Sequence, residues 1–212
     1  VKIFKNTKGE YCPLIDDETV HMDGYIFGSC GKENKEGSFY AGITETEDSF
    51  IGYTVDRNSC LVKNEKVILL KNEWEQVYSS GDTAIKVHIP YGSKINKEAC
   101  YDSYKRAKDI FTRCFPEYKF KCFLICCWML SPLLKEILPA DSNIIEFQRE
   151  YVIFPMYNSA LDVFLYVYGI ESDSIEEISF SDLPEKTSLQ RGIKKKLMSG
   201  DYIHQFGGYM PL

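Results

Sequence analysis

The clearest pattern of apolar and polar positions covers residues 83–138 and predicts a strand, a helix, a second strand and a short helix. Over 83–90, apolar and other side chains alternate with the two-residue period of a strand that has one buried face. Asn96 is a suitable N-cap for a helix over 97–114, where apolar residues recur at helical spacing. The almost continuous apolar run at 120–130 predicts a strand covered on both faces, at the centre of a sheet.

The segment before this unit, residues 1–82, is predicted to be mainly β. Short alternating runs are separated by turn residues, and they include a hairpin over 38–55 and strands at 61–70 and 73–78. This pattern predicts an antiparallel segment that extends the sheet of the following unit. We therefore divide the chain into a β-rich N-terminal segment, 1–82, and an α/β domain, 83–212.

The segment after the central apolar run is predicted to contain further helices and a strand. A serine and a proline begin a short helix over 131–138, as N-cap and first helical residue. Alternation over 143–155 predicts a long strand that lies antiparallel to the central one. Helices are predicted over 158–167 and 188–198, and the end of the chain, 207–212, predicts a tail or a short docked strand.

The edge formed by residues 89–97 is the strongest candidate for a binding site in this pattern. It contains the carboxyl end of the first strand and the start of the helix that follows. Ligands bind at the carboxyl ends of strands in parallel sheets, and helix N-termini attract phosphate through unpaired amides and the helix dipole. The alternative is an ordinary crossover, whose helix start holds only a cap or water.

Composition narrows the class of protein. The 212 residues are 44% hydrophobic and 14% aromatic, which is enough for the core of one domain or of two small ones. The net charge of −6 argues against a nucleic-acid partner, which requires a basic surface. No run of about 18 apolar residues predicts a membrane helix, and the N-terminus does not have the pattern of a signal peptide. Because the chain begins with Val1 rather than methionine, we expect a fragment or a processed chain.

The cysteines do not have a spacing typical of a metal site. No two of them form a CxxC pair and the chain has only 3 histidines, so we predict no metal site. Several cysteines fall at apolar positions, where a free thiol packs as a small hydrophobe, and this usage predicts a cytoplasmic protein with reduced thiols. The 8 cysteines are Cys12, Cys30, Cys60, Cys100, Cys114, Cys122, Cys126 and Cys127.

Several short strings, together with the order of predicted elements, resemble the GNAT superfamily of N-acyltransferases. More specifically, the chain is similar to the GNAT-like C-terminal domain of uncharacterised bacterial acyltransferase-domain proteins, over roughly 60–212 and more weakly at its start. The strings are Val87-His-Ile-Pro90, Phe115-Pro-Glu117 with Phe120, Cys127-Trp-Met-Leu130 with Pro132, Leu138-Pro139 with Ser142-Asn-Ile144 and Phe147-Gln148, and Thr187-Ser-Leu-Gln190.

This resemblance implies an α/β fold, a GNAT-like mixed sheet with flanking helices and a β-rich N-terminal extension. It also implies that acyl-CoA lies where two parallel strands diverge, with its pyrophosphate held by the turn after the first strand. The usual turn is Gln/Arg-x-x-Gly-x-Gly/Ala, whereas this chain offers one glycine and one basic residue. The residues that match this turn are Ile89, Tyr91, Gly92, Ser93, Lys94 and Asn96.

Acyl transfer to an amine requires a base for the amine and an acid for the leaving thiolate. His88 is the candidate base because it ends the first strand on its less apolar face, although it also fits a structural histidine. Glu146 is a second candidate, acting through water from the neighbouring strand; the alternative is a solvated carboxylate at the sheet edge. No tyrosine lies between residues 118 and 151 to supply the tyrosine acid of many GNAT enzymes. Cys127, or its neighbour Cys126, is the candidate substitute; the alternative is a buried, inert thiol.

The sequence therefore favours an acyl-CoA-dependent N-acyltransferase, with an acyl-CoA and an amine acceptor as its partners. It predicts neither a nucleic-acid nor a membrane partner. The alternative is a non-catalytic GNAT-like domain that keeps the fold and binds a ligand or another protein. The single glycine of the turn and the missing tyrosine favour this alternative, whereas the resemblance favours the enzyme.

Overall fold

The strands of the first part of the chain pair with one another rather than with the strands that follow. The computed structural model describes residues 1–33, 36–90 and 92–212. The first eight strands are β1 (Lys2–Asn6), β2 (Tyr11–Ile15), β3 (Glu18–Val20), β4 (Phe39–Ala41), β5 (Thr44–Glu45), β6 (Ser49–Val55), β7 (Val62–Leu70) and β8 (Trp74–Ser79). The first sheet has the order β5-β6-β2-β1-β8 with β7 beside β6, and β3 pairs separately with β4.

The second sheet contains the strand–helix–strand unit. Its strands are β9 (Ile85–Lys86), β10 (Cys122–Cys127), β11 (Val152–Pro155) and β12 (Phe206–Pro211), in the order β11-β12-β10-β9. β9 and β10 are parallel neighbours joined by α1 (Lys97–Cys114), as predicted. The fold is therefore a mixed α/β sheet with flanking helices and a strand-rich N-terminal region, which confirms the predicted fold class.

The end of the chain is a central strand. β12 pairs antiparallel with β10 over six residues and with β11 over four. The docked strand that was one of two alternatives for 207–212 is therefore the observed one. Since β12 lies between β10 and β11, it takes the place beside β10 that we predicted for the strand at 143–155.

The prediction of one long strand over 143–155 is wrong. Its first half is the helix α3 (Asn143–Gln148), and only Val152–Pro155 is a strand. The hydroxyl of Ser142 accepts a hydrogen bond from the Ile145 N–H at 3.4 Å and so caps the helix. Ile145 and Phe147 are both buried in the helix, so their apolar character does not require a strand. Because β12 lies between β11 and β10 and is antiparallel to both, β11 runs in the same direction as β10 rather than antiparallel to it.

The remaining helical segments are short. α2 (Leu134–Ile137) lies within the predicted 131–138, and α4 (Ser188–Met198) has the predicted bounds, with a capping box between Thr187 and Gln190. A helical segment of π type over Phe164–Tyr168 replaces the longer helix predicted at 158–167. Single 3-10 turns lie at Trp128–Leu130, Ile175–Glu177 and Phe180–Asp182.

The two sheets are separate but share one apolar core. The prediction that residues 1–82 extend the second sheet is wrong, because the described strands of the two halves form different sheets. Side chains of both halves nevertheless pack in one cluster, which contains Ile3, Ile15, Phe206 and Tyr209. The division of the chain into two domains at residue 82 stays a prediction.

Gly208 of β12 lies where no side chain fits. A Cβ at this position would lie 2.7 Å from Leu130 Cδ1 and 2.9 Å from Ile125 Cγ2. Gly52, in the first sheet, is less crowded, since its Cβ would lie 3.3 Å from Ile43 Cγ1. The central strand of the second sheet is therefore built around a close approach that only glycine permits.

We predict that Gly208→Ala lowers the free energy of unfolding by about 1–3 kcal/mol, because the added methyl group forces the buried side chains of Leu130 and Ile125 apart. Urea denaturation monitored by circular dichroism measures this change. Gly52→Ala is the matched control, a strand glycine whose added Cβ would lie no closer than 3.3 Å to a neighbouring atom, and its loss should be clearly smaller. Equal losses in the two variants would contradict the crowding at Gly208.

His204 is a buried histidine two residues before β12. Its side chain is 2% exposed, and its Nδ1 has no hydrogen-bond partner in the described part of the chain. The ring packs against Tyr25, with centroids 4.5 Å apart. Burial lowers the pKa of His204 to about 4; the nearby Lys32 acts in the same direction, and Asp23 opposes it. His204 is therefore neutral in the folded protein at neutral pH.

We predict that acid weakens the fold through His204. Its unfolded pKa is 6.5 and its folded pKa is lower, so the unfolded state binds more protons between these values. Stability is therefore full above pH 6.5 and is lost as the pH falls toward about 4, by on the order of 3 kcal/mol. His204→Gln and His204→Phe should both flatten this part of the stability profile in urea denaturation. A slope that persists in both variants would assign it to other groups.

Candidate functional site

β9 and β10 pair over two residues and then separate. Ile85 pairs with Phe123 and Lys86 with Leu124. In the described chain, the pairing ends with a hydrogen bond from the Val87 N–H to the Leu124 carbonyl, at 2.7 Å. Beyond it, a cavity of about 270 Å³ lies between the chain that leaves β9 and the end of β10. We call it the divergence cavity.

The divergence cavity brings together most of the residues that the sequence selected. Its walls come from residues 87–90, 92, 93 and 95, from 125–129 and from the segment after β11. The selected residues that line it are His88, Ile89, Gly92, Ser93 and Cys127. Lys94 is exposed between two lining residues, and Tyr91 lies outside the described residues.

The start of α1 lies beside this cavity. Ile95 lines it, and Asn96 caps the helix by accepting a hydrogen bond from the Ala99 N–H at 2.9 Å. The other amides of the first turn have no partner within a helix, and the helix dipole adds partial positive charge. The predicted cap is therefore confirmed, and it places this end of α1 next to the turn after β9.

The two adjacent cysteines of β10 are neutral thiols. Burial raises the pKa of Cys127 to about 12 and also raises the pKa of Cys126. Cys126 Sγ donates a hydrogen bond to Gln205 Oε1 at 3.2 Å. Because the thiolate is the reactive form, neither side chain is activated as a nucleophile. Of the two alternatives for Cys127, this environment favours the inert thiol.

Glu146 does not lie in the divergence cavity. It belongs to α3 rather than to a strand, and it forms an ion pair with Arg149. It lines a different, smaller cavity of about 50 Å³, together with Cys100 and Tyr104. The structure therefore separates Glu146 from His88 and Cys127.

Asp162 and Tyr166 complete the third wall of the divergence cavity and were missed by the sequence analysis. Burial raises the pKa of the Asp162 carboxyl. Tyr166 is 50% exposed. The two residues are four positions apart in a segment predicted to be helical, and this spacing places side chains on one face. This spacing could have indicated that the two side chains lie together, but nothing in the local sequence indicated that the segment lies beside β9.

Asn158 fixes the segment that carries Asp162. Its amide group is buried and donates hydrogen bonds to the carbonyls of Met156, at 2.9 Å, and Gln205, at 3.2 Å. Its Oδ1 accepts from the N–H groups of Ala160, at 3.0 Å, and Gln205, at 3.2 Å. Ala160 has a positive φ of 58°, two residues before Asp162. The third wall is thus tied to the residue that precedes β12.

The sequence profile of the family described as GNAT-like C-terminal domain matches residues 28–210. The chain belongs to this family. A search of curated proteins found no match. The match covers the chain from β4 to β11 and all of β12 except its last residue, so it includes part of the first sheet and nearly all of the second.

Solved structures of acyltransferases have a similar fold. One is in complex with decanoyl-CoA, with a TM-score of 0.53, 20% identity, and 80% of this chain and 46% of that chain covered. A second, with decanoyl-CoA and teicoplanin, has a TM-score of 0.53 and 21% identity over 77% and 46% of the chains. A third, with CoA and 10C-teicoplanin, has a TM-score of 0.53 and 20% identity over 80% and 46%. The chain thus spans about half the length of these proteins, and the likeness is one of fold.

The helices and the cysteines were also the subject of predictions. No helix in the described part of the chain is long and apolar enough to cross a membrane. All 8 cysteines lie among the described residues and are free thiols. The predicted reducing compartment itself stays a prediction.

Proposed function

We propose that this domain binds an acyl-CoA in the divergence cavity and transfers the acyl group to an amine. The observation that carries the proposal is the separation of β9 from β10 after Val87, with a cavity between them. The same observation supports this position for the donor, because it leaves one edge of β10 open.

The open edge suits the pantetheine arm of CoA, a slender chain with two amide groups. The backbone of Leu124 faces β9, and alternate residues of a strand direct their backbone groups to the same side. The backbone N–H and carbonyl of Cys126 therefore face the cavity. The arm would add to the sheet edge as a short strand does, with main-chain hydrogen bonds providing affinity.

The turn after β9 and the start of α1 suit the phosphates of CoA. The unpaired amides of the first turn and the helix dipole favour an anion, and exposed Lys94 adds a positive charge. The residues predicted for this role, including Gly92, Ser93 and Asn96, are adjacent in this turn. The acyltransferase structures of similar fold hold CoA, decanoyl-CoA or octanoyl-CoA, and this supports acyl-CoA as the donor.

The side chains of the cavity suit direct transfer. The amine nitrogen attacks the thioester carbon, the C–S bond breaks, and CoA leaves as a thiolate that takes a proton. Asp162 is our candidate for the base, since burial raises its proton affinity above that of an ordinary carboxylate. His88, exposed on the opposite wall, is the second candidate, and the Tyr166 hydroxyl is the candidate acid. The raised pKa of Cys127 argues against an acyl-thiol intermediate.

The amine acceptor and the compartment are parts of the same proposal. An acyltransferase of similar fold was solved in complex with both decanoyl-CoA and teicoplanin, and this supports a second substrate beside the acyl-CoA. The free cysteines support a reducing compartment such as the cytoplasm. The second candidate function is a binding module without catalysis, because the turn has only one glycine and one cation.

We predict that CoA and decanoyl-CoA raise the melting temperature of the 212-residue chain, with a shift that grows with the logarithm of ligand concentration. Lys94→Glu should weaken binding by roughly tenfold, because it replaces a phosphate-binding charge with a repelling one. Differential scanning fluorimetry measures both effects.

Lys105→Glu is the control for charge, since Lys105 is also exposed but lies within α1, about two turns after its start. It should leave the CoA shift unchanged. No shift at about millimolar CoA would favour the binding module. A shift that is unchanged in Lys94→Glu would place the phosphates elsewhere.

We also predict that Asp162→Asn lowers the rate of N-acylation of a primary amine by decanoyl-CoA by roughly 10²-fold, since it removes the base. Mass spectrometry of the acylated amine follows the reaction, and the CoA-induced thermal shift should be retained. His88→Ala is the comparison. A comparable loss in His88→Ala, with little change in Asp162→Asn, would assign the base to His88.

A further inference from the structure

A second and larger cavity lies between the two halves of the fold. It measures about 600 Å³ and shares no lining residue with the divergence cavity. One wall is formed by β2 and the turn after β6, including Tyr11, Val55 and Cys60. The other is formed by residues 135–153. We call it the interlayer cavity; its volume is within the range of about 300–1,000 Å³ typical of small-molecule sites.

The inner wall of the interlayer cavity is apolar. Leu138, Ile145, Val152 and Ile153 line one side, and Val55 lies on the other. Such a wall favours an aliphatic or aromatic group, since burial of apolar surface stabilises a complex.

One buried polar group interrupts this apolar wall. Gln148 lines the cavity and is 2% exposed. Its Nε2 donates hydrogen bonds to the carbonyls of Met129, at 2.9 Å, and Ser131, at 3.0 Å. Its Oε1 accepts no hydrogen bond in the described part of the chain. A buried amide oxygen without a donor is unfavourable, so a ligand with an N–H or O–H group at this depth would be stabilised.

The rim of the cavity carries an available cation. Lys135 Nζ donates to the Asn58 carbonyl at 3.2 Å and has no carboxylate partner among the described residues. Arg57 is 75% exposed and lies 3.7 Å from Glu10, a loose pair that an anion can join. Asp56, the other acid of the rim, already accepts hydrogen bonds from the backbone amides of Asn58 and Ser59. The rim therefore favours a carboxylate over an ammonium group.

We infer that the interlayer cavity binds an N-acyl amino acid or a molecule of the same chemistry, with an apolar chain, an amide N–H and a carboxylate. The chain packs on the apolar wall, the N–H donates to Gln148 Oε1, and the carboxylate lies against Lys135 and Arg57. This assignment uses only groups of the interlayer cavity, and it does not depend on acyl transfer at the divergence cavity.

Isothermal titration calorimetry of the 212-residue chain with three probes tests the inference. N-decanoylglycine carries all three features, decanoate lacks the amide, and N-methyldecanamide lacks the carboxylate. We expect N-decanoylglycine to bind at least about tenfold more tightly than either of the others, since each lacks one hydrogen-bonded group. Equal binding of all three, or no binding, would overturn the assignment.

Variants and competition locate the site. Lys135→Glu should weaken N-decanoylglycine by about tenfold or more and leave N-methyldecanamide unchanged, because only the former carries a charge. Lys105→Glu, an exposed lysine of α1, is the matched control and should change neither. Saturating CoA should not displace N-decanoylglycine. Displacement by CoA would place the ligand in the divergence cavity, and binding that is unchanged in Lys135→Glu would place it away from this rim. Either result would contradict the inference.

Discussion

The pairing of the last strand, β12, with both β10 and β11 is the constraint on which the rest of the second half depends. It occupies one edge of β10 over six residues, so the other edge is available to β9 alone. β9 holds that edge for only two residues, and the divergence cavity begins where it leaves. Tyr209 of β12 also packs against Tyr11 and Tyr78 of the first sheet, with ring centroids 5.7 and 5.9 Å apart. The same strand therefore joins the two sheets and leaves the site open.

The start of β12 is in turn tied to the third wall of the site. Gln205 bonds to the buried amide of Asn158 through its backbone and to Cys126 through its side chain. Ser29 of the first half adds a hydrogen bond to the Asn158 N–H at 3.4 Å. Buried polar groups that are fully paired rigidify their surroundings. The position of Asp162 thus follows from contacts made by segments that are far apart in sequence.

Local signals predicted the elements they control, and long-range pairing decided the rest. The helix over 97–114 and its Asn96 cap follow from nearby residues, so both were predicted correctly. The central position of β12 was not predictable, because Gly207 and Gly208 have a low strand propensity. Glycine is needed at these positions because side chains from other segments approach the backbone closely, and this contact is visible only in the folded structure. Ile145 and Phe147 fit a strand and a helix equally, and the Ser142 cap decided between them. Asp162 reaches the cavity only through the tertiary fold.

The raised pKa values of the cysteine thiols affect the acyl transfer proposed for the divergence cavity. Burial raises the pKa of Cys122, Cys126 and Cys127, and no metal-binding cluster in the described chain would counter this effect. A thiol with a raised pKa is a poor nucleophile at neutral pH, and a raised pKa also makes it a weak acid. The sulfur atoms beside the cavity therefore act as packing groups. Under the proposed acyl transfer, proton transfer would therefore fall to Asp162, His88 or Tyr166, and direct attack of an amine would be favoured over a covalent acyl-enzyme route.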